Sequence, residues 1–320
     1  MSFFLPINIP KISVPIDYNA QIVSIGSCFA ENIANKLSYF QFRNICNPWG
    51  ILFHPLAIEK LFDSAVNNRD FSEKDIFCHQ EVWSSFDVHS ALNALSKQDL
   101  LEKLQKQISQ TAHSLKGATH IIITLGTAWA YWHKSSEKYV ANCHKTPQKE
   151  FEKRLLPIGQ IVQSLDNMVS LVRKINPDCQ FIFTISPVRH IKDGMVENQQ
   201  SKAHLIAALH EFLHRQNTDS LYYFPSYEIM MDELRDYRFY AQDMLHPNET
   251  AIAYIWQKFV EACIGKSVWN DMGKVDEIRK SLNHKPFNAH TLAHQKFVEN
   301  LKQKITFCQK KYPFMDFENM

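Results

Sequence analysis

Two short stretches, far apart in the chain, hold residue types that can perform nucleophilic chemistry. The first is Gly26-Ser27-Cys28-Phe29-Ala30, which ends the apolar run Gln21 to Ile25. A strand that ends in glycine and runs into a helix aims the next side chain out of the sheet's carboxyl edge, where ligands of open α/β sheets bind. Ser27 and Cys28 both stand there as nucleophile candidates. The second stretch is Asp243-Met244-Leu245-His246-Pro247, an acid three residues before a histidine. Such an Asp can orient an imidazole that deprotonates a nucleophile and then reprotonates a leaving group. A nucleophile early and Asp-x-x-His late point to acyl transfer. A cysteine at a helix N-terminus also feels the dipole and unpaired N–H groups, which lower its pKa and can hold an oxyanion. The plainer alternatives are an inert, buried Cys28 at a tight turn and a surface His246 at an ordinary helix start.

Two further blocks can serve an oxyanion. Leu125-Gly126-Thr127-Ala128 ends a third apolar run, with Gly126 allowing close approach and Thr127 able to donate a hydrogen bond. Asn47-Pro48-Trp49-Gly50 follows a second run, and Gly50 can supply a backbone N–H. Two polar clusters complete the set. Asn142-Cys143-His144-Lys145 falls in a loop, and Arg189-His190 follows a fourth run. Asn142, His144, Lys145, Arg189 and His190 are candidate substrate-binding residues, the cationic ones toward a carboxylate or phosphate. Salt-bridged loops are the bland alternative.

The elements that must position these residues are short apolar runs ending in Gly or Pro: Gln21–Gly26, Gln41–Asn47, His120–Gly126, Gln180–Pro187 and Leu221–Tyr227. All five read as buried parallel strands. Helical spacing separates them at Ala30–Phe40, Pro55–Val66, Asp99–Leu115, Glu197–Gln216 and Pro247–Ile264, with Lys149–Ile175 as one long helix broken near Pro157. The alternation predicts a doubly wound sheet. Residues 55–116 exceed a single crossover helix and read as a crossover with an inserted lobe. Residues 265–320 read as a helical extension, with helices at Val275–Leu282 and Thr291–Gln309, after a main domain of residues 1–264.

Composition narrows the function classes. With 45% hydrophobic and 21% charged residues, the chain reads as an ordinary globular protein. A formal net charge of +2 provides no basic field for nucleic acid. Seven cysteines, an odd number without a C-x-x-C spacing, argue against a disulfide framework and a zinc ribbon, so reduced thiols and a cytoplasmic location are expected. Met1–Pro6 lacks a basic segment before a long apolar one, so a secretory leader is not expected. No apolar run is long enough to span a membrane. Cys143 and His144 lack a convincing set of further ligands, so neither metal nor cofactor is expected. Oligomeric state is left open, because no heptad seam can be read.

Gly26-Ser27-Cys28-Phe29-Ala30 matches the signature of the GSCFA domain family, which is similar to the SGNH (GDSL-like) hydrolases. The resemblance covers roughly Ile22 to Ile264. It implies a three-layer α/β/α sandwich with a five-stranded parallel sheet, and metal-free cleavage or transfer of acyl groups on esters of lipids, carbohydrates and other small alcohols. By the family's blocks, Cys28 falls in the nucleophile slot, with Ser27 as the alternative register. Asp243 and His246 take the Asp and His, and Gly50 the second-block glycine. The third block, Gly-x-Asn, falls on Gly126-Thr127-Ala128, where Ala128 lacks the amide that holds the oxyanion. Losing such a donor costs a serine hydrolase about 2.7–4 kcal/mol. Thr127, Asn142 or Asn47 can replace it, or backbone groups can act alone. Cysteine for serine keeps transfer open, and some bacterial polysaccharide acetyltransferases resemble SGNH proteins with a Gly-x-Cys turn. The resemblance thus implies an acyl-ester hydrolase, with an O-acyltransferase as the first alternative and a non-catalytic binding module on the same fold as the second.

Overall fold

The computed structural model describes residues 5–284 and 291–317. In chain order the elements begin β1 (Gln21–Gly26), α1 (Cys28–Tyr39), β2 (Arg43–Cys46) and α2 (Pro55–Val66). A hairpin of β3 (Phe77–His79) and β4 (Val82–Ser84) follows, then α3 (Lys97–Gly117) and β5 (His120–Leu125). Next come β6 (Trp129–His133), β7 (Lys138–Val140) and β8 (Phe151–Leu155), then α4 (Ile158–Ile175), β9 (Gln180–Ile185) and α5 (Met195–Gln216). The chain closes with β10 (Leu221–Tyr223), the single turn α6 (Ser226–Glu228), α7 (Glu249–Cys263), α8 (Trp269–Leu282) and α9 (Leu292–Lys311).

The five expected strands form one sheet in the order β10-β9-β5-β1-β2, and every neighbouring pair is parallel. Side chains on a strand alternate between faces, and here the alternation sorts them into two cores. Val23, Ile25, Ile121, Ile123, Phe181, Phe183 and Leu221 join the layer that holds α2, α3, α4 and α5. Ile22, Ile122, Ile182 and Tyr222 face the other layer, with α1, α7 and α8. This is the expected α/β/α sandwich. Helix α1 buries Phe29, Ala30, Ile33, Ala34 and Leu37 on one stripe, and a fully buried Phe or Leu contributes about 1.5–3 kcal/mol. In the C-terminal extension, Val275, Ile278, Cys308, Met315 and Phe317 enter that same core.

From β1 the chain steps to the edge strand β2, then crosses over to β5 on the other side of β1. The strand order therefore reverses between β1 and β5. The carboxyl ends of these two strands flank the crevice that such a switch point creates.

Three sequence expectations need correction. The expected long helix from Lys149 begins instead as β8. Its Glu152, Lys153 and Arg154 are good helix formers, yet they pair across to β6, where Lys153 Nζ lies 5.4 Å from the Tyr131 ring and the Arg154 guanidinium 4.5 Å from the Trp132 ring. Tertiary pairing overrides local propensity here. The small antiparallel sheet β7-β6-β8 and the β3-β4 hairpin were not expected at all. The run expected to extend to Tyr227 stops at Tyr223, because Ser226 turns inward, 2.6 Å from Thr184 Oγ1, and donates to the Ile185 carbonyl at 2.7 Å.

Candidate active site

Gly26 ends β1 with φ at +137°, and a Cβ there would lie 2.1 Å from the Thr124 carbonyl oxygen. Only glycine allows this turn. Ser27 follows as the N-cap of α1: its hydroxyl accepts from the Phe29 N–H at 3.3 Å and its carbonyl from the Ala30 N–H at 2.9 Å. Ser27 is fully buried, so its oxygen serves the helix and not the solvent. Cys28, the first residue of α1, is half-buried and its sulfur lies 3.8 Å from His246 Nε2.

His246 arrives from the other end of the sequence on a tight loop before α7. Met244 takes φ of +60°, and Asp243 Oδ1 accepts the N–H groups of Leu245 at 2.9 Å and His246 at 3.0 Å. The other carboxylate oxygen is 2.6 Å from His246 Nδ1. The His246 N–H, the Leu245 N–H and the His246 ring hold the Asp243 carboxyl down at about 2. Asp243 thus stays ionised and fixes the ring with Nε2 turned to Cys28. The site is open, with the His246 side chain 47% exposed.

The thiol departs from expectation. Burial raises its pKa and Glu31 adds to the rise; Lys202 and the N–H groups of Phe29 and Cys28 pull it down without reversing it. Desolvation outweighs the helix terminus, so the protonated thiol is favoured.

The expected oxyanion donors are spent elsewhere. The N–H groups of Gly126 and Thr127 both donate to the Phe53 carbonyl, at 2.8 and 3.0 Å, and the Gly50 N–H donates to the Asn47 carbonyl at 2.8 Å. The Thr127 hydroxyl accepts from the Trp129 N–H at 3.0 Å and lies 2.9 Å from Ser201 Oγ. Gly126 instead serves close packing: a Cβ there would meet the Phe53 carbonyl oxygen at 3.0 Å and Ser27 Cβ at 3.1 Å. Of the three residues considered as substitutes for the missing Asn, Asn142 accepts the His144 N–H at 2.8 Å. Asn47 is different. Its Oδ1 accepts the Gly26 N–H at 2.9 Å, while its buried Nδ2 finds no partner among the described residues.

The proposed substrate residues divide. The Arg189 guanidinium lies 4.1 Å from the Tyr240 ring and donates to the Met244 carbonyl at 3.3 Å, while its backbone N–H donates to Leu245 at 3.2 Å. It braces the loop that carries Asp243 and His246. His190 sits 5.3 Å from the Phe53 ring, and burial, with Lys202, His246 and Lys153 nearby, pushes its pKa down to about 3. A neutral His190 is no anion-binding cation. Asn142, Cys143, His144 and Lys145 instead line a cavity of about 450 Å³ with Phe53, Lys192 and aromatic neighbours. In its wall, His144 Nε2–H donates to the Ser85 carbonyl at 2.7 Å, and burial lowers the His144 pKa.

The sequence did not single out Lys202 of α5, which is only 1% exposed. The signal was present: Asn198, Ser201, Lys202, Leu205, Leu209 and Phe212 share the buried stripe of the helix, and a lysine on such a stripe is unusual.

A comparison with curated proteins gives no match. Among solved structures, the chain is similar to an acetyl xylan esterase (Est2A) from the rumen bacterium Butyrivibrio proteoclasticus, at 11% identity and a TM-score of 0.36. The match covers 81% of this chain and 65% of that one, under two thirds of its length. Residues 21–259 match the GSCFA family, and residues 275–320 match the GSCFA domain protein, C-terminal domain. The first match holds the glycine turn, Cys28, Asp243 and His246 within it, and the chain belongs to the GSCFA family.

Proposed function

We propose that this chain is an acyl-ester hydrolase with Cys28 as nucleophile. The observation that supports this is the line from Cys28 Sγ to His246 Nε2, and from His246 Nδ1 to Asp243, at the switch point of the sheet. His246 Nε2 takes the thiol proton as sulfur bonds to the ester carbonyl carbon, and the carbonyl electrons move onto oxygen. Collapse of that oxyanion expels the alcohol, which takes the proton from His246, and a thioester stays on Cys28. Water, deprotonated by His246, then releases the acid and restores the thiol. The Cys28 N–H and Asn47 Nδ2 are the oxyanion donors in this scheme.

The test is intact-protein mass spectrometry after incubation with p-nitrophenyl acetate. A single acetyl adduct on the wild type and on Ser27→Ala, absent from Cys28→Ala, supports the assignment. An adduct that survives Cys28→Ala and vanishes in Ser27→Ala moves the nucleophile to Ser27. No adduct on any of them favours a non-catalytic binding module.

One observation favours a second reading, acyl transfer to a carbohydrate hydroxyl. The cavity beyond Phe53 combines the aromatic rings of Phe53, Tyr131 and Phe151 with Asn142, Lys145 and Lys192, a lining suited to a sugar face with polar or anionic substituents. Transfer requires that the acetyl adduct decay faster when an oligosaccharide is added and that the sugar gain the acetyl group.

A further inference from the structure

Lys202 is a charged residue in the interior, and its surroundings connect it to the chemistry at Cys28. Its Nζ donates to the Gly126 carbonyl at 2.7 Å and to the Ser186 carbonyl at 2.7 Å. These carbonyls lie just past the ends of β5 and β9. Gly126 is also the residue packed against Ser27, directly before Cys28. A cation placed here costs desolvation energy that two neutral carbonyls only partly return. A glutamine could also bond carbonyls without that cost, so carbonyl anchoring alone leaves the charge unexplained.

We propose that Lys202 is a positioning residue for Cys28: its ammonium ties together the strand ends beneath the nucleophile turn and supplies the counter-charge to the anion that forms there. This rests on the reading of Cys28 as nucleophile. The groups facing Lys202 are few. Cys28 stands at the start of α1, and a negative charge there favours the Lys202 ammonium. The Tyr227 ring lies 5.7 Å from Nζ on the α6 side, and His190, kept neutral, comes from the loop after β9. Glu31 acts on Cys28 from the opposite sense, raising its pKa. Burial pulls the Lys202 pKa down to about 7, and a negative charge at position 28 raises it. The ammonium is therefore held most firmly when the anion is present, as a counter-charge to a transient thiolate requires.

The test replaces the transient charge with a fixed one. In full-length protein labelled with ¹³C-lysine, the Lys202 Cε resonance is titrated in Cys28→Asp and in its neutral counterpart Cys28→Asn. Lys202→Met identifies the resonance. The expected result is a Lys202 midpoint about one pH unit higher with Asp than with Asn, the lower end of the effect of a nearby opposite charge. Equal midpoints overturn the proposal, and Lys202→Arg identifies the resonance if Lys202→Met fails to fold. The second measurement is the rate of Cys28 acetylation by p-nitrophenyl acetate against pH. It should show a limb near the Lys202 midpoint in the wild type and lack that limb in folded Lys202→Met, with a rate at pH 6.5 at least tenfold lower. An unchanged profile in Lys202→Met also overturns the proposal. Absence of any adduct on wild-type Cys28 defeats the hydrolase reading instead, while the two midpoints still decide whether Lys202 senses charge at position 28.

Discussion

Asn47 Oδ1 accepts the N–H of Gly26 at 2.9 Å, so the residue just past β2 holds the turn that aims Cys28. Asn47 takes φ of +43°, and its own N–H donates to the Ser24 carbonyl at 2.9 Å. Two hydrogen bonds thus fix it against β1, and its buried Nδ2 has no partner among the described residues. Leaving such a group unpaired costs about 1–3 kcal/mol, a cost that an oxyanion acceptor would offset.

Asn47→Asp keeps the acceptor for Gly26 and removes the donor. We expect Cys28 acetylation to slow by about 10²–10³-fold, the loss typical of one oxyanion donor, with circular dichroism unchanged. A rate within twofold of wild type removes Asn47 from the oxyanion site.

Ser27→Ala separates the cap from the nucleophile. The hydroxyl satisfies the Phe29 N–H at the start of α1, and losing an N-cap costs about 1 kcal/mol. The variant should melt at a lower temperature and still form the acetyl adduct on Cys28. Peptide mapping of the adduct checks both the site and its persistence.

Arg189→Met retains an apolar stem against Tyr240 and loses the bond to the Met244 carbonyl. The loop bearing His246 would then be less constrained. Because small misplacements of a catalytic group can cost up to about 10²-fold, kcat should fall by about tenfold or more while KM for a small neutral ester changes little. A change confined to KM would mean that Arg189 contacts the substrate.

Stability should fall as the solution is acidified below pH 6.5. His54 is buried, its ring hydrogen-bonded to the Val140 carbonyl at 3.0 Å, and burial lowers its pKa to about 4. His190, His120 and His144 are also lowered by burial. The unfolded chain binds these protons near pH 6.5 and the folded chain does not. The contribution is therefore fully present above 6.5 and is lost as pH falls toward the folded pKa values. At pH 5, His54 alone accounts for about 2 kcal/mol. Urea unfolding at pH 7 and pH 5 measures this, and His54→Gln should flatten the difference by that amount.

The parallel strands were legible because burial on both faces leaves nearly continuous apolar runs, as in His120–Leu125. The small sheet β7-β6-β8 was not, since Glu152, Lys153 and Arg154 favour a helix until Tyr131 and Trp132 lie across from them. The Gly26 turn and the Asp-x-x-His loop were legible for a local reason: each is fixed by contacts within a few residues, namely the Ser27 cap and the Asp243 bonds to Leu245 and His246.

By itself, then, the sequence determined the order of the chemical blocks along the chain, the Gly26 turn and the pairing of Asp243 with His246, because the last two depend on short-range backbone geometry. Only the tertiary structure decided the electrical state of the site and its donors. The Cys28 pKa is raised by desolvation, the Gly126 and Thr127 N–H groups are spent on Phe53, the Asn47 amide has no partner among the described residues, and Lys202 bonds the carbonyls past the strand ends. Each of these depends on which distant segments exclude water from a group or claim its hydrogen bonds, and that is settled only when the layers pack.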